Sequence, residues 1–177
     1  TVDAGDPRAP VLVGTIDKAG ITDLAVAPGQ VLVTGADGLT VFDVATDPSR
    51  PREAGHLGSS LSEKGYDLVA VEGTRAFVVR PRASVTGATG TRRIPPLVRV
   101  VDLANPDRPT LAGEVSIGDF DTTIRDIDVA GDLVYLAAGL ERQMNGMIVV
   151  VDASRPDAPQ VVGYWDSSEP GLPVVPI

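Results

Sequence analysis

Apolar residues in this chain fall in short runs rich in valine and leucine, separated by glycine, proline and aspartate. Leu24-Ala25-Val26-Ala27, Val31-Leu32-Val33-Thr34 and Leu39-Thr40-Val41-Phe42-Asp43 follow one another, parted by Pro28-Gly29 and Asp37-Gly38. A fourth run lies around 52–57. No run repeats at the 3.6-residue helical period, so the pattern predicts strands and tight turns. The unit recurs. Residues 58–116 predict strands at Leu68-Val69-Ala70-Val71, Ala76-Phe77-Val78-Val79, Val98-Arg99-Val100-Val101 and 110–115, and residues 117–166 predict four more. Asp37-Gly38 and Asn145-Gly146 sit at matching places and suit type I′ hairpin turns, which need positive φ at both central residues.

One phrase punctuates the units. An apolar run ends in Asp, then come Pro, two residues, Pro, three residues and Gly: Asp3-Pro7-Pro10-Gly14, Asp43-Pro48-Pro51-Gly55, Asp102-Pro106-Pro109-Gly113 and Asp152-Pro156-Pro159-Gly163. The first Pro ends the third strand of a unit, and the second opens the fourth where no ladder N–H is needed. The Asp is expected to accept hydrogen bonds from the N–H groups of the corner, a structural role.

Several strands are apolar at consecutive positions, notably Met147-Ile148-Val149-Val150-Val151, so both faces of each sheet must be covered. Stacked four-stranded units of this length describe blades of a β-propeller, an all-β fold. The endings Val41-Phe42-Asp43, Val100-Val101-Asp102 and Val150-Val151-Asp152 with their Pro-x-x-Pro-x-x-x-Gly corners resemble the LVIVD repeat, as does Asp126-Ile127-Asp128-Val129 followed by Gly131. The resemblance covers about residues 1–166. It implies a bacterial or archaeal propeller protein that is exported, periplasmic or at the cell surface, and it implies no particular chemistry.

The expected organisation is an outer strand of a preceding blade at 1–14, then blades at 15–57, 58–116 and 117–166. The second carries a long insertion at 80–96, and a Pro-rich tail or linker occupies 167–177. Three blades and one strand do not close a ring of four to eight. The start inside a repeat leads to the expectation that the arc is completed by remaining blades of the same polypeptide or by another chain, in a homo- or hetero-oligomer. The open apolar faces are the reason, since large exposed apolar patches normally mark an interface.

Composition narrows the function further. A net charge of −9 and a pI of about 4.5 argue against a nucleic-acid partner. The absence of cysteine removes thiol catalysis and Cys-ligated zinc. No apolar run approaches the roughly 20 residues of a membrane-spanning helix. The single histidine, His56, lies at the end of an outer strand and gives no Ser-His-Asp set within the chain. Asp119, Asp121, Asp126 and Asp128 form the best candidate metal group, suited to a hard cation such as calcium. Asp23 and Asp126, on first strands, are candidates to line a channel.

Arg80, Arg82, Arg92 and Arg93 bracket a neutral Ser/Thr/Gly/Ala stretch and form a candidate partner-binding finger for acidic surfaces. The reading that follows is a non-catalytic interaction scaffold. The alternative is an enzyme or metal-dependent binding propeller with a carboxylate-lined channel.

Overall fold

The computed structural model describes residues 1–59, 65–87, 90–140 and 146–166, which contain sixteen strands and no helix. The first complete sheet orders β3 (Ile21–Ala27), β4 (Gln30–Gly35), β5 (Gly38–Asp43) and β6 (Arg52–Gly58) as an antiparallel meander. The second uses β7 (Leu68–Glu72), β8 (Arg75–Arg80), β11 (Leu97–Asp102) and β12 (Thr110–Ser116). The third uses β13 (Thr122–Ala130), β14 (Leu133–Leu140), β15 (Gly146–Asp152) and β16 (Gln160–Asp166). Between β8 and β11 a separate hairpin, β9 (Ala83–Gly87) with β10 (Gly90–Ile94), forms the insertion. Before the first sheet stand β1 (Val2–Asp3) and β2 (Val11–Leu12), paired with each other. The preceding blade is thus represented by the expected outer strand, β2, with β1 paired to it, because the Asp3 corner folds its chain back as the other corners do.

Two-residue turns make the meanders. Pro28-Gly29 joins β3 to β4 with Gly29 at φ 74°, the positive value a type II turn requires at its third residue. The Asp37-Gly38 turn is shifted: Gly35 pairs with Gly38, so the turn is Ala36-Asp37. Gly38 is needed for another reason, since a Cβ there would overlap the Leu57 carbonyl oxygen on β6. Asn145 lies outside the described residues.

The four corners are built alike. The carboxylates of Asp3, Asp43, Asp102 and Asp152 each accept the N–H of the residue two further on, at 2.8–2.9 Å. A second turn then closes with the N–H of Ala9, Arg50, Arg108 and Ala158 donating to the carbonyls of Asp6, Asp47, Asn105 and Arg155, all at 3.0 Å. These bonds satisfy corner backbone that has no ladder partner. In every blade a bulge in the outer pairing follows, between Val41 and Phe42, Val100 and Val101, and Val150 and Val151. The skipped residues are Ala54, Ala112 and Val162, each directly before the glycine of the phrase. The bulge twists the outer strand there.

That glycine seats the next blade. A Cβ on Gly14, Gly55 or Gly113 would overlap the carbonyl oxygen of Pro48, Pro106 or Pro156 respectively, the first Pro of the following corner. At the inner end the first strands β3, β7 and β13 are neighbours. Asp23 Oδ2 there accepts the Val69 N–H at 2.9 Å, tying the first blade to the second. Between these contacts lie two cores. Leu32, Leu39, Val41, Tyr66, Val78 and Val101 fill the space between the first two blades. Phe77, Val98, Val100, Leu136, Val149 and Val151 fill the space between the second and third. The sheets are layered face to face, and among the described residues no strand of one pairs with a strand of the next. This is an open arc of a β-propeller: three full blades and the outer half of a fourth.

Candidate interaction surface

Strand alternation assigns every side chain of an end blade to one of two faces. On the third blade Leu136, Ala138, Val149 and Tyr164 turn toward the second blade. The register pairs Tyr135 with Val150 and Ala137 with Ile148, and Ile148 with Trp165, on the opposite face. Tyr135, Ile148 and Trp165 are 38%, 42% and 43% exposed. On the first blade Ala25, Ala27, Leu32 and Val41 pack toward the second. Leu24 and Val26, on the other face, are 56% and 67% exposed. Val2, Val11 and Leu12 of the half-blade are also exposed. Large apolar side chains therefore lie bare at both ends of the arc.

The insertion forms a basic finger, and its arginines divide. Arg80 is buried on β8, where Nη2 donates to the Pro95 carbonyl at 3.0 Å, so it braces the base of the finger instead of presenting charge to a partner. Arg82 and Arg93 stand over the ring of Phe120, at 5.4 and 4.9 Å from its centroid. Arg82 Nη1 also reaches the Phe120 carbonyl at 3.4 Å. The finger is thus held against the turn that opens the third blade. Arg92 is exposed. Phe120 has no local sequence signal for this role: only the fold brings an aromatic ring in the acidic turn 117–122 under two arginines from the neighbouring blade.

The acidic residues do not converge. Among the described residues no three acidic or histidine side chains come together as a cation cage. Asp119 Oδ1 accepts the Asp121 N–H at 2.9 Å and caps its own turn. Asp126 and Asp128 accept the N–H groups of Ile127 and Val129, the residues that follow them. Asp126 and Asp128 border a shallow hollow on the bare face of the third blade with Tyr135, Ala137 and Ile148. Asp23 is engaged by the inter-blade bond to Val69, so its carboxylate holds two blades together. His56 is exposed, with Nδ1 3.0 Å from the Thr40 hydroxyl.

The corner carboxylates carry their charge readily. The Thr46 hydroxyl and N–H hold Asp43 below the ordinary carboxylate range, the Ser49 hydroxyl does so for Asp47, and the Ser154 N–H does so for Asp152. Donors aimed at the ionised form are the cause. Lys18, 2.8 Å away, lowers Asp37 in the same direction. All four shifts favour the ionised carboxylate, and none prepares a proton donor near neutrality. A cavity of about 320 Å³ opens between the turn 117–122 and the third blade, lined mainly by Ile117, Leu140, Met147, Val149 and Tyr164, with Asp119 among the polar lining residues.

No family model matches the sequence, and no curated protein matches it. Among solved structures the chain is similar to the computationally designed Ika4 protein, at 14% identity and a TM-score of 0.46, covering 84% of this chain and 93% of that one. It is similar to a GH32 β-fructofuranosidase of Bombyx mori in complex with sucrose, at 9% identity and a TM-score of 0.44. That match covers 80% of this chain but only 35% of the enzyme. A hypothetical selenium-binding protein from Sulfolobus tokodaii is similar at 9% identity and a TM-score of 0.36, covering 93% of this chain and 72% of its own.

Proposed function

We propose that this chain is a non-catalytic propeller scaffold that works by presenting its bare end faces, and its docked finger, to protein partners. One observation carries the reading. Large exposed apolar side chains cluster on the outward faces of the arc, while the inward faces of the same sheets are buried. Exposed apolar surface of that kind is stabilised when another surface covers it. Asp23, Asp126 and Asp128, the carboxylates a channel site would need, each accept a backbone N–H, which supports structural duty for them. Arg92, exposed on the returning strand β10 of the finger, adds a positive feature to an acidic body, which suits an acidic patch on the partner. The resemblance to LVIVD repeats is in keeping with an exported or surface-located assembly.

The test is on the third blade. The 177-residue chain is expected to self-associate or to bind a hydrophobic dye, as measured by light scattering and fluorescence. Ile148→Lys with Trp165→Lys is expected to weaken both with an unchanged circular dichroism spectrum, the first-blade face staying bare. A wild-type chain that is monomeric, binds no dye and is indistinguishable from the double variant overturns the reading.

A further inference from the structure

The half-blade has a shape that says what completes it. In each full blade the third strand (β5, β11 or β15) is paired on both sides, to the second strand and to the fourth. Its counterpart β1 is paired only to β2 among the described residues, so the inner edge of Val2–Asp3 offers unpaired backbone. The face of the first blade behind it is uneven in the matching way. Toward the rim Val33, Thr40 and Phe42 are at most 7% exposed, and Gly14 is seated on the Pro48 corner. Toward the axis, on the first strand, Leu24 and Val26 stand more than half exposed. The bare part lies beside the first strand, and the free edge is that of a third strand. What is missing between them is a first and a second strand.

We propose that the Val2–Asp3 edge and the Leu24–Val26 floor together form a docking site for one two-stranded antiparallel β-hairpin of this same repeat, supplied by polypeptide beyond residues 1–177. The hairpin pairs its second strand with β1 and sets its apolar face on Leu24 and Val26. The three intact blades give the chemistry of the occupant. Its small and apolar residues stand where Ala25 and Leu32 stand in the first blade, facing the next blade across the core. Strand addition of this kind takes its affinity from main-chain pairing and its selectivity from alternate side chains. The inference rests on the scaffold reading above. Its readouts lie at the opposite end of the arc from the test of that reading, so either can fail alone.

Register makes the experiment direct. Asp3 occupies the place of Asp43, so Thr1 occupies the place of Val41, and a second copy of residues 21–40 fused directly before Thr1 rebuilds the missing strands in frame. The fused chain is expected to protect the Val2 and Asp3 amides from hydrogen exchange, to shift the methyl resonances of Leu24 and Val26, and to raise Tm by about 5 °C. Two controls follow. Aspartate at the positions of Ala25 and Leu32 within the fused copy alone should erase all three effects. So should Leu24→Asp with Val26→Asp in the first blade, side chains exposed enough for the unfused variant to fold. A folded fused chain with unprotected Val2 and Asp3 and an unchanged Tm overturns the proposal. So does an unfused chain that dimerises with those amides already protected, since the occupant is then a second copy.

Discussion

The glycines at the rim set the distance between blades, and replacing one by alanine measures that constraint. At Gly55 a Cβ would lie 2.8 Å from the Asp107 carbonyl carbon and from Pro109 Cδ, with the Pro106 carbonyl oxygen closer still. Carbon atoms rest at about 3.5 Å or more, so the Asp102 corner must retreat by at least about 0.7 Å. The obstacle is backbone held by its own turn bonds, so it cannot rotate away as a side chain would. A gap of that size between the sheets forfeits a quarter to a half of each contact well along the opened seam. Overpacking of this type costs about 2–3 kcal/mol. Against this, alanine restricts the unfolded chain and returns about 0.4–1 kcal/mol. The net loss is about 2 kcal/mol, or a fall in Tm of about 4–8 °C for a chain of this size. Gly113→Ala meets Asp157 backbone at 2.9 Å on the other seam and is expected to behave alike, and the two should add. Gly87→Ala, with open space around it, is the control and should stay within about 0.5 kcal/mol. Scanning calorimetry and urea unfolding provide the measurement. If Gly55→Ala and Gly113→Ala cost no more than Gly87→Ala, the rim does not fix the spacing and the argument fails.

Arg75 spans the second seam, with Nη1 on the Ala153 carbonyl at 3.0 Å and Nη2 on Asp132 at 2.6 Å. Arg75→Ala should cost about 1–2 kcal/mol in urea unfolding through the lost charged hydrogen bonds, whereas Asp132→Asn, at a more exposed partner, should cost about 0.5 kcal/mol or less. Phe120→Ala removes the ring under Arg82 and Arg93; amide exchange across 83–94 should quicken while the global Tm barely moves. Unchanged exchange there would show that the finger is held by something else. Acid should loosen the corners. Asp43, Asp47 and Asp152 ionise more readily folded than unfolded, so the stability they lend is present above the unfolded pKa and is lost as pH falls through the lower folded value. Tm is expected to hold from pH 7 to about 5 and to fall below about pH 4, less steeply in Asp43→Ala. An equal acid slope in that variant would remove Asp43 from the account.

Much of this was written in local order. The strands β3 to β5 follow the alternation of valine and leucine runs with Pro-Gly and Gly-containing turns, and the Asp of each phrase accepts the N–H that an Asx turn predicts. The bulges at Ala54, Ala112 and Val162 were not legible, because a skipped residue leaves the apolar pattern of its strand intact. Neither was the pairing of Val2–Asp3 with the expected outer strand Val11–Leu12. The finger shows the limit most clearly. Its four arginines read alike in sequence, yet Arg80 is interior, Arg82 and Arg93 share Phe120, and Arg92 is exposed.

By itself the sequence determined the repeat, its four-stranded unit and the corner that ends each third strand, since these depend on residues within a few positions of one another. Only the tertiary structure decided why the phrase ends in glycine. That residue touches nothing in its own blade that demands it; the demand comes from the proline carbonyl of the next blade, more than forty residues away at Gly55 and Gly113. The same holds for which apolar side chains remain bare. Leu24 and Val26 are as apolar as their buried neighbours, and they differ only in that nothing among the described residues covers them.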